Sequence, residues 1–299
     1  MTLWQTKKGL GLSSSISLII AILLIDANLI WLATNRPLVI GTFIIGLAVL
    51  FSLGLLGLIV YWLYGLIRSG YSLDRNMLVI HWGTTEQIIP AGQIERVFTG
   101  EEVEGRIPFY GAIWPGHCVG HGEVPDVGLT IFYATVPPKQ QVYVVTPGVT
   151  YGISPADRDG FVESLRKRME MGSTQVVQQI SKRPAFLSWP IWQDRVGLIL
   201  LGTSILIILL LTGLLCYHFP ALPRMVPLHF DVTGKPDRLE ARGEIFTIPL
   251  IGFVILLING ALGGLAYRRE RMVSYMLWGG AILIQVLMWT AALGILGRL

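Results

Sequence analysis

The chain has 299 residues, of which 53% are apolar and only 14% charged, with a net charge of +4 and a mean hydropathy of +0.61. Soluble domains carry about 25% charged residues, so an ordinary soluble protein is excluded. Two cysteines, Cys118 and Cys216, cannot make a disulfide framework, and both are expected to be reduced and unpaired.

Lys7 and Lys8 precede a first apolar run, Leu12–Ala33. It is long, and no small-x-small cleavage site follows it, so it is expected to stay as a helix rather than be removed as a signal peptide. A second run, Leu38–Ile67, is longer than a bilayer needs and must tilt or extend past the lipid. Three more runs lie near the other end: Val196–Tyr217, Ile245–Tyr267 and Met272–Leu296. A stretch like the uncharged "VGLILLGTSILIILLLTGLLCY" crosses about 30 Å of hydrocarbon at about 1.5 Å per residue. Trp4, Trp31, Trp62, Tyr64, Trp189, Trp192, Tyr217, Tyr267 and Tyr275 lie near span ends, as an interfacial belt would place them. Lysine and arginine gather at residues 7–8, 182–195 and 268–271, which puts the N-terminus on the cytoplasmic side.

Between the second and third runs, residues 70–172 change character. Short runs rich in β-branched and aromatic residues, "MLVIHW", "EQIIPAGQI", "GLTIFYATV" and "QVYVVT", alternate with turn residues and read as strands. "SPADRDGFVESLRKRM" reads as a helix with Ser154 as N-cap and Pro155 at the first helical position. Phe161, Leu165 and Met169 give it one apolar stripe that can close over a sheet. The segment "GEEVEGRIPFYGAIWPGHCVGHGEVPD" shows no strand pattern and is expected to be an extended loop. The stretches "YSLDRNMLVIHWG", "IIPAGQIERV" and "YGISPADRDGFVESL" resemble a bacterial pleckstrin-homology-like domain. That resemblance implies a small barrel plugged by its C-terminal helix. The expected architecture is therefore a membrane α-helical bundle of five transmembrane helices with an inserted mainly-β pleckstrin-homology-like barrel. Its parts are residues 1–69, two spans; 70–172, the barrel; 173–195, a linker; and 196–299, three spans with an extracytoplasmic loop at 218–243.

That loop is the most unusual part of the chain. "LPRMVPLHFDVTGKPDR" sits between two greasy runs. Pro220, Pro223 and Pro227 forbid a continuing helix, and "DVTG" is a turn in which Gly234 is free to take positive φ. The loop is either a rigid cap, an outward contact surface, or a metal site built from His229, Asp231 and Asp237. Pro227, His229, Phe230, Gly234, Pro236 and Asp237 match a pattern that resembles the membrane segment of the killing-factor immunity protein family, with Asp231 where Asn is commoner. The resemblance implies either immunity to a secreted peptide toxin or a receptor that holds a transcription repressor.

Other polar groups stand out against the apolar background. Asp26 and Asn28 lie in the first run, Asn259 in the fourth and Gln285 in the fifth. A charge inside a membrane helix faces the bundle or a water-filled path, so Asn259 or Gln285 is the expected partner of Asp26. Gly260 and Gly264 form a small-xxx-small pair for close helix packing. His117, Cys118 and His121 in "PGHCVGH" are weak zinc candidates without a second ligand pair.

The barrel segment carries eight Lys and Arg against twelve Asp and Glu, a net of −4, leaving +8 for the remainder. The overall positive charge therefore flanks the spans, and neither nucleic acid nor phosphoinositide is an expected ligand. No Walker A, GxSxG or HExxH motif occurs, so no enzymatic activity and no cofactor are expected. The expected function is a sensor, scaffold or immunity-type protein of the bacterial cytoplasmic membrane. It contacts the lipid bilayer, and its cytoplasmic barrel binds a protein partner. An accessory subunit of a membrane complex and a solute transporter using Asp26 are the alternatives.

Overall fold

The computed structural model describes residues 2–182, 184, 189–230 and 236–298, with the backbone alone at 229, 230, 236 and 237. Among the described residues five helices are long and apolar enough to cross a membrane. Contacts along the whole chain divide it into two units, residues 1–26 with 52–185, and residues 27–51 with 186–299.

The first unit begins with a strand that the sequence pattern did not reveal, β1 (Thr2–Gln5). Helices α1 (Gly9–Thr34) and α2 (Ile40–Ile67) then leave and return. Strands β2 (Gly70–Leu73), β3 (Met77–Trp82) and β4 (Thr85–Pro90) follow, and β1 pairs antiparallel with β2. The start of α1 and the end of α2 are therefore held at one level. Lys8 Nζ donates to the Ile67 carbonyl at 2.7 Å, and the Thr6 and Ser69 hydroxyls meet at 2.6 Å. The Trp4 ring packs edge-on against Phe161 of this domain.

A second sheet holds β5 (Arg96–Thr99), β6 (Tyr110–Trp114), β7 (His117–Val124), β8 (Gly128–Ala134), β9 (Val142–Thr146) and β10 (Val149–Ile153), in the order β5-β9-β10-β8-β7-β6. The segment expected to be a loop is thus a hairpin, β6–β7. Its glycines hid it: Gly111, Gly120 and Gly122 carry no side chain to alternate, and a Cβ at any of them would meet backbone oxygen at 2.4 Å or less. Glycine here lets neighbouring backbones approach closely.

Helix α3 (Arg158–Met171) closes the domain. Its N-cap is Asp157, whose carboxylate accepts from Gly160 N at 3.0 Å; Ser154 lies outside the helix. Ser154 Oγ instead accepts from Thr135 N at 2.7 Å, and Ser154 N donates to Tyr71 Oη at 2.9 Å. Burial pushes the Tyr71 hydroxyl up to about 12, so it stays protonated and also donates to the Tyr133 carbonyl. Phe161 and Leu165 are fully buried among Tyr71, Leu78, Ile80, Val144 and Ile153, so the expected stripe does cover the core between the two sheets. Beyond α3, the chain does not run free as a linker. Strand β11 (Ile180–Lys182) extends the first sheet by pairing with β4, giving the order β1-β2-β3-β4-β11.

The second unit contains α4 (Arg195–His218), α5 (Thr247–Ala266) and α6 (Arg271–Leu296). Between α4 and α5 lies a two-stranded hairpin, β12 (Met225–Phe230) with β13 (Pro236–Ala241). Helix α6 packs on both α4 and α5. Close approach occurs at Gly263, where an added Cβ would lie 2.3 Å from Trp278 Nε1, and at Gly252, 2.8 Å from Ile208. The expected glycine pair is therefore displaced: nothing lies within 4 Å of a Cβ at Gly260, and Gly264 meets only Trp189.

Candidate functional site

The hairpin grows out of the packed end of its bundle. Val226 is fully buried with Leu215, Leu222 and Ile245, and Leu228 packs on the same cluster. The strand pairs Met225 with Ala241, Val226 with Glu240 and Pro227 with Leu239, then shifts register before His229. A proline in a strand has no N–H to give, and a local bulge is where such a residue is tolerated. The base is closed by Arg242 N, which donates to the Arg224 carbonyl at 3.0 Å, and by the Arg242 guanidinium lying 4.8 Å over Phe219. On β13, Arg238 pairs with Glu240 at 2.8 Å. His229, Phe230 and Asp237 lie on the strands away from this base, with His229 opposite Arg238 in register. Asp231 and Gly234 lie outside the described residues.

The intramembrane polar residues do not form one line. Asp26 Oδ1 accepts from Ser52 on α2 at 2.5 Å, so its partner is a serine rather than Asn259 or Gln285. Its other oxygen is buried without a hydrogen bond. Asn28 is exposed. On α5, Gly263 accepts from Ser274 and Gly252 faces Gln285, so Asn259 lies seven residues from the Gln285 level. At about 1.5 Å per residue that is about 10 Å along the axis. Gln285 itself is fully buried, and neither of its amide atoms has a partner; Ser204 is buried in the same state.

His117, Cys118 and His121 share strand β7. Successive side chains of a strand point to opposite faces, so Cys118 cannot join the two histidines. His117 stacks on Trp62, with ring centroids 5.1 Å apart, and lies edge-on to Trp82; His121 stacks on Tyr110. Burial lowers His117 to about 4, leaving it neutral. Among the described residues no three His, Cys, Asp or Glu side chains converge as metal ligands. Both cysteines are free and buried.

One polar cluster escaped the sequence reading. Asp194 caps α4, accepting from Val196 N at 3.1 Å and Gly197 N at 3.3 Å. Its other oxygen accepts from Tyr267 Oη at 2.6 Å, from Tyr275 Oη at 2.5 Å and from Arg271 Nη2 at 3.2 Å. The Tyr267 hydrogen bond, and then that from Tyr275, hold the Asp194 carboxyl well below the usual carboxylate range. Tyr267 is pushed up, first by burial and then by Asp194 itself. Trp278 stacks on Tyr267 beneath the cluster. An Asp before an apolar run was a readable cap signal in "WQDRVGL". Its partners, Tyr267 at the end of α5 and Arg271 and Tyr275 in the first turns of α6, were not.

This is a multi-pass membrane protein in which a mainly-β domain and a hairpin interrupt the spans. Residues 69–169 match the bacterial PH domain family, and residues 205–253 match a domain of unknown function, DUF1648, which takes in the hairpin. No curated protein and no solved structure matches the chain.

Proposed function

We propose that the chain is a non-enzymatic membrane receptor or scaffold of the bacterial cytoplasmic membrane. In it the β12–β13 hairpin is the extracytoplasmic contact surface and the PH-like domain binds a protein partner in the cytoplasm. The observation that carries this reading is the hairpin's construction. Val226 and Leu222 seat its base in the bundle core, and Met225–Phe230 and Pro236–Ala241 leave it as paired antiparallel strands that bulge at His229. A paired backbone of this kind lowers the ordering cost of binding. The number of crossings supports the opposed faces, because three spans separate the N-terminal strand from the hairpin. Immunity to a secreted peptide is the narrower form of the same reading, since it uses the same outward surface.

A photo-crosslinking side chain at Arg238 and another at Glu104, tested in intact cells, decides between this and a transport role. The receptor reading expects a discrete, saturable protein adduct from each position. Adducts from neither position, together with a solute flux that disappears in Asp26→Asn while assembly is normal, would contradict it.

A further inference from the structure

Where the PH-like domain meets the first turn of α1 there is a cavity of about 670 Å³, with His117 and Cys118 in its lining. Its walls include Leu10, Ile113, Trp114, Cys118 and Val136, and Lys7 stands among them. The volume is in the usual range for a bound small molecule, about 300–1,000 Å³. The cavity is built rather than accidental. Gly11 of α1 and Gly116 at the β6–β7 turn touch so closely that a Cβ on Gly116 would lie 2.5 Å from Gly11 Cα. This contact pins the hairpin to the helix and fixes the cavity's shape.

Three features indicate what occupies it. Leu10 is 82% exposed and Ile113 is 63% exposed, so the mouth of the cavity carries apolar surface, with Lys7 and Gln140 as the exposed polar groups beside it. Such surface is expected where lipid, not water, is the neighbour. Next, the lining includes Gly9, Leu10 and Gly11, the first residues of an apolar spanning helix, which puts it at the boundary of headgroups and acyl chains. Finally, Lys7 is exposed and makes no ion pair among the described residues, whereas its neighbour Lys8 is already bonded to the Ile67 carbonyl. An ammonium on a flexible stem at headgroup depth suits a phosphate. Cys118 adds no charge to the wall, because burial pushes its thiol up to about 11.

The geometry points to a phospholipid site: one acyl chain lies in the cavity between the β6–β7 hairpin and α1, and the lipid phosphate sits on Lys7. Any phospholipid carries that phosphate, so the site does not depend on anionic lipid and agrees with the domain's negative charge. The lipid fills the seam between domain and helix.

Mass spectrometry of the full chain released from detergent micelles tests this, with dioleoylphosphatidylcholine and dioleoylglycerol as the two probes. Wild type is expected to retain one phosphatidylcholine. Lys7→Gln is expected to lower that retention about fivefold without changing retention of dioleoylglycerol, as loss of one exposed ammonium–phosphate pair should at most. Ile113→Glu, on an exposed edge position, is expected to abolish retention of both without disturbing the fold. Val136→Phe, which fills the cavity, is expected to do the same, with the melting temperature reporting whether the fold survives. The proposal is overturned if wild type retains no lipid, if Ile113→Glu retains as much as wild type, or if Lys7→Gln lowers both probes equally or neither.

Discussion

Two buried aspartates, one in each unit, have opposite surroundings. Asp194 is saturated: two backbone N–H groups, two tyrosine hydroxyls and an arginine converge on its carboxylate. Asp26 has one donor, Ser52, and an oxygen with none. A buried charge is tolerated when its hydrogen-bonding capacity is met, and is costly otherwise. Asp194 therefore looks built to hold three helices together at one end of the bundle. Asp26 keeps unused capacity inside a span, which is where a functional role would show.

Removing Asp194 should have the largest effect. Asp194→Ala strips the cap from α4 and leaves two hydroxyls and a guanidinium without their acceptor. The melting temperature of the purified protein is expected to fall on the order of 10 °C. The pH dependence follows the same logic. The folded-state carboxyl lies below its ordinary range, so its contribution is complete above that range and is lost as pH falls into and through it. Asp194→Asn, which retains a capping side chain, should flatten the acid limb of a melting-temperature profile.

The close packing around Trp278 comes next. Gly263→Val would force a side chain into the Trp278 indole and is expected to cost about 1–3 kcal/mol. The same change at Gly260, where space is open, should cost less; equal losses at both positions would contradict the packing described here. In the other unit, His117 is neutral because burial lowers it to about 4. A histidine lowered on folding contributes fully above its unfolded value of about 6.5 and less as pH falls toward the folded value. Acidification to about pH 5 should therefore destabilise the domain by up to about 2 kcal/mol, and His117→Phe should remove that slope. The smallest change is expected at the second aspartate. Ser52→Ala removes the interhelical hydrogen bond to Asp26, and such bonds are typically worth about 0.6 kcal/mol in membrane helices. A much larger loss of stability would mean that Asp26 is as structural as Asp194.

The spans were legible because nothing except lipid burial explains more than twenty apolar residues in a row. The strands Met77–Trp82, Gly128–Ala134 and Val142–Thr146 and the α3 stripe were legible because periodicity survives in a single sequence. What failed to show was whatever depends on distant partners. β1 has four residues and is a strand only because β2 lies beside it. β6–β7 is written in glycines, which leave no alternation to count. Asp194 meets Tyr267 and Tyr275 across 73 and 81 residues of chain. Of the hairpin motif, the prolines signalled an end to helix, but the pairing that turns Pro227–Phe230 into a strand came only with β13.

The reading of this chain as a receptor depends on its two exposed regions facing opposite sides of one membrane. Cysteines introduced singly at Arg238 and Glu104 can be reacted with a membrane-impermeant maleimide, against native cysteines that are buried. In intact cells the Arg238→Cys protein should label at once and the Glu104→Cys protein only after permeabilisation. Labelling of both without permeabilisation, or of Glu104→Cys alone, would contradict the account.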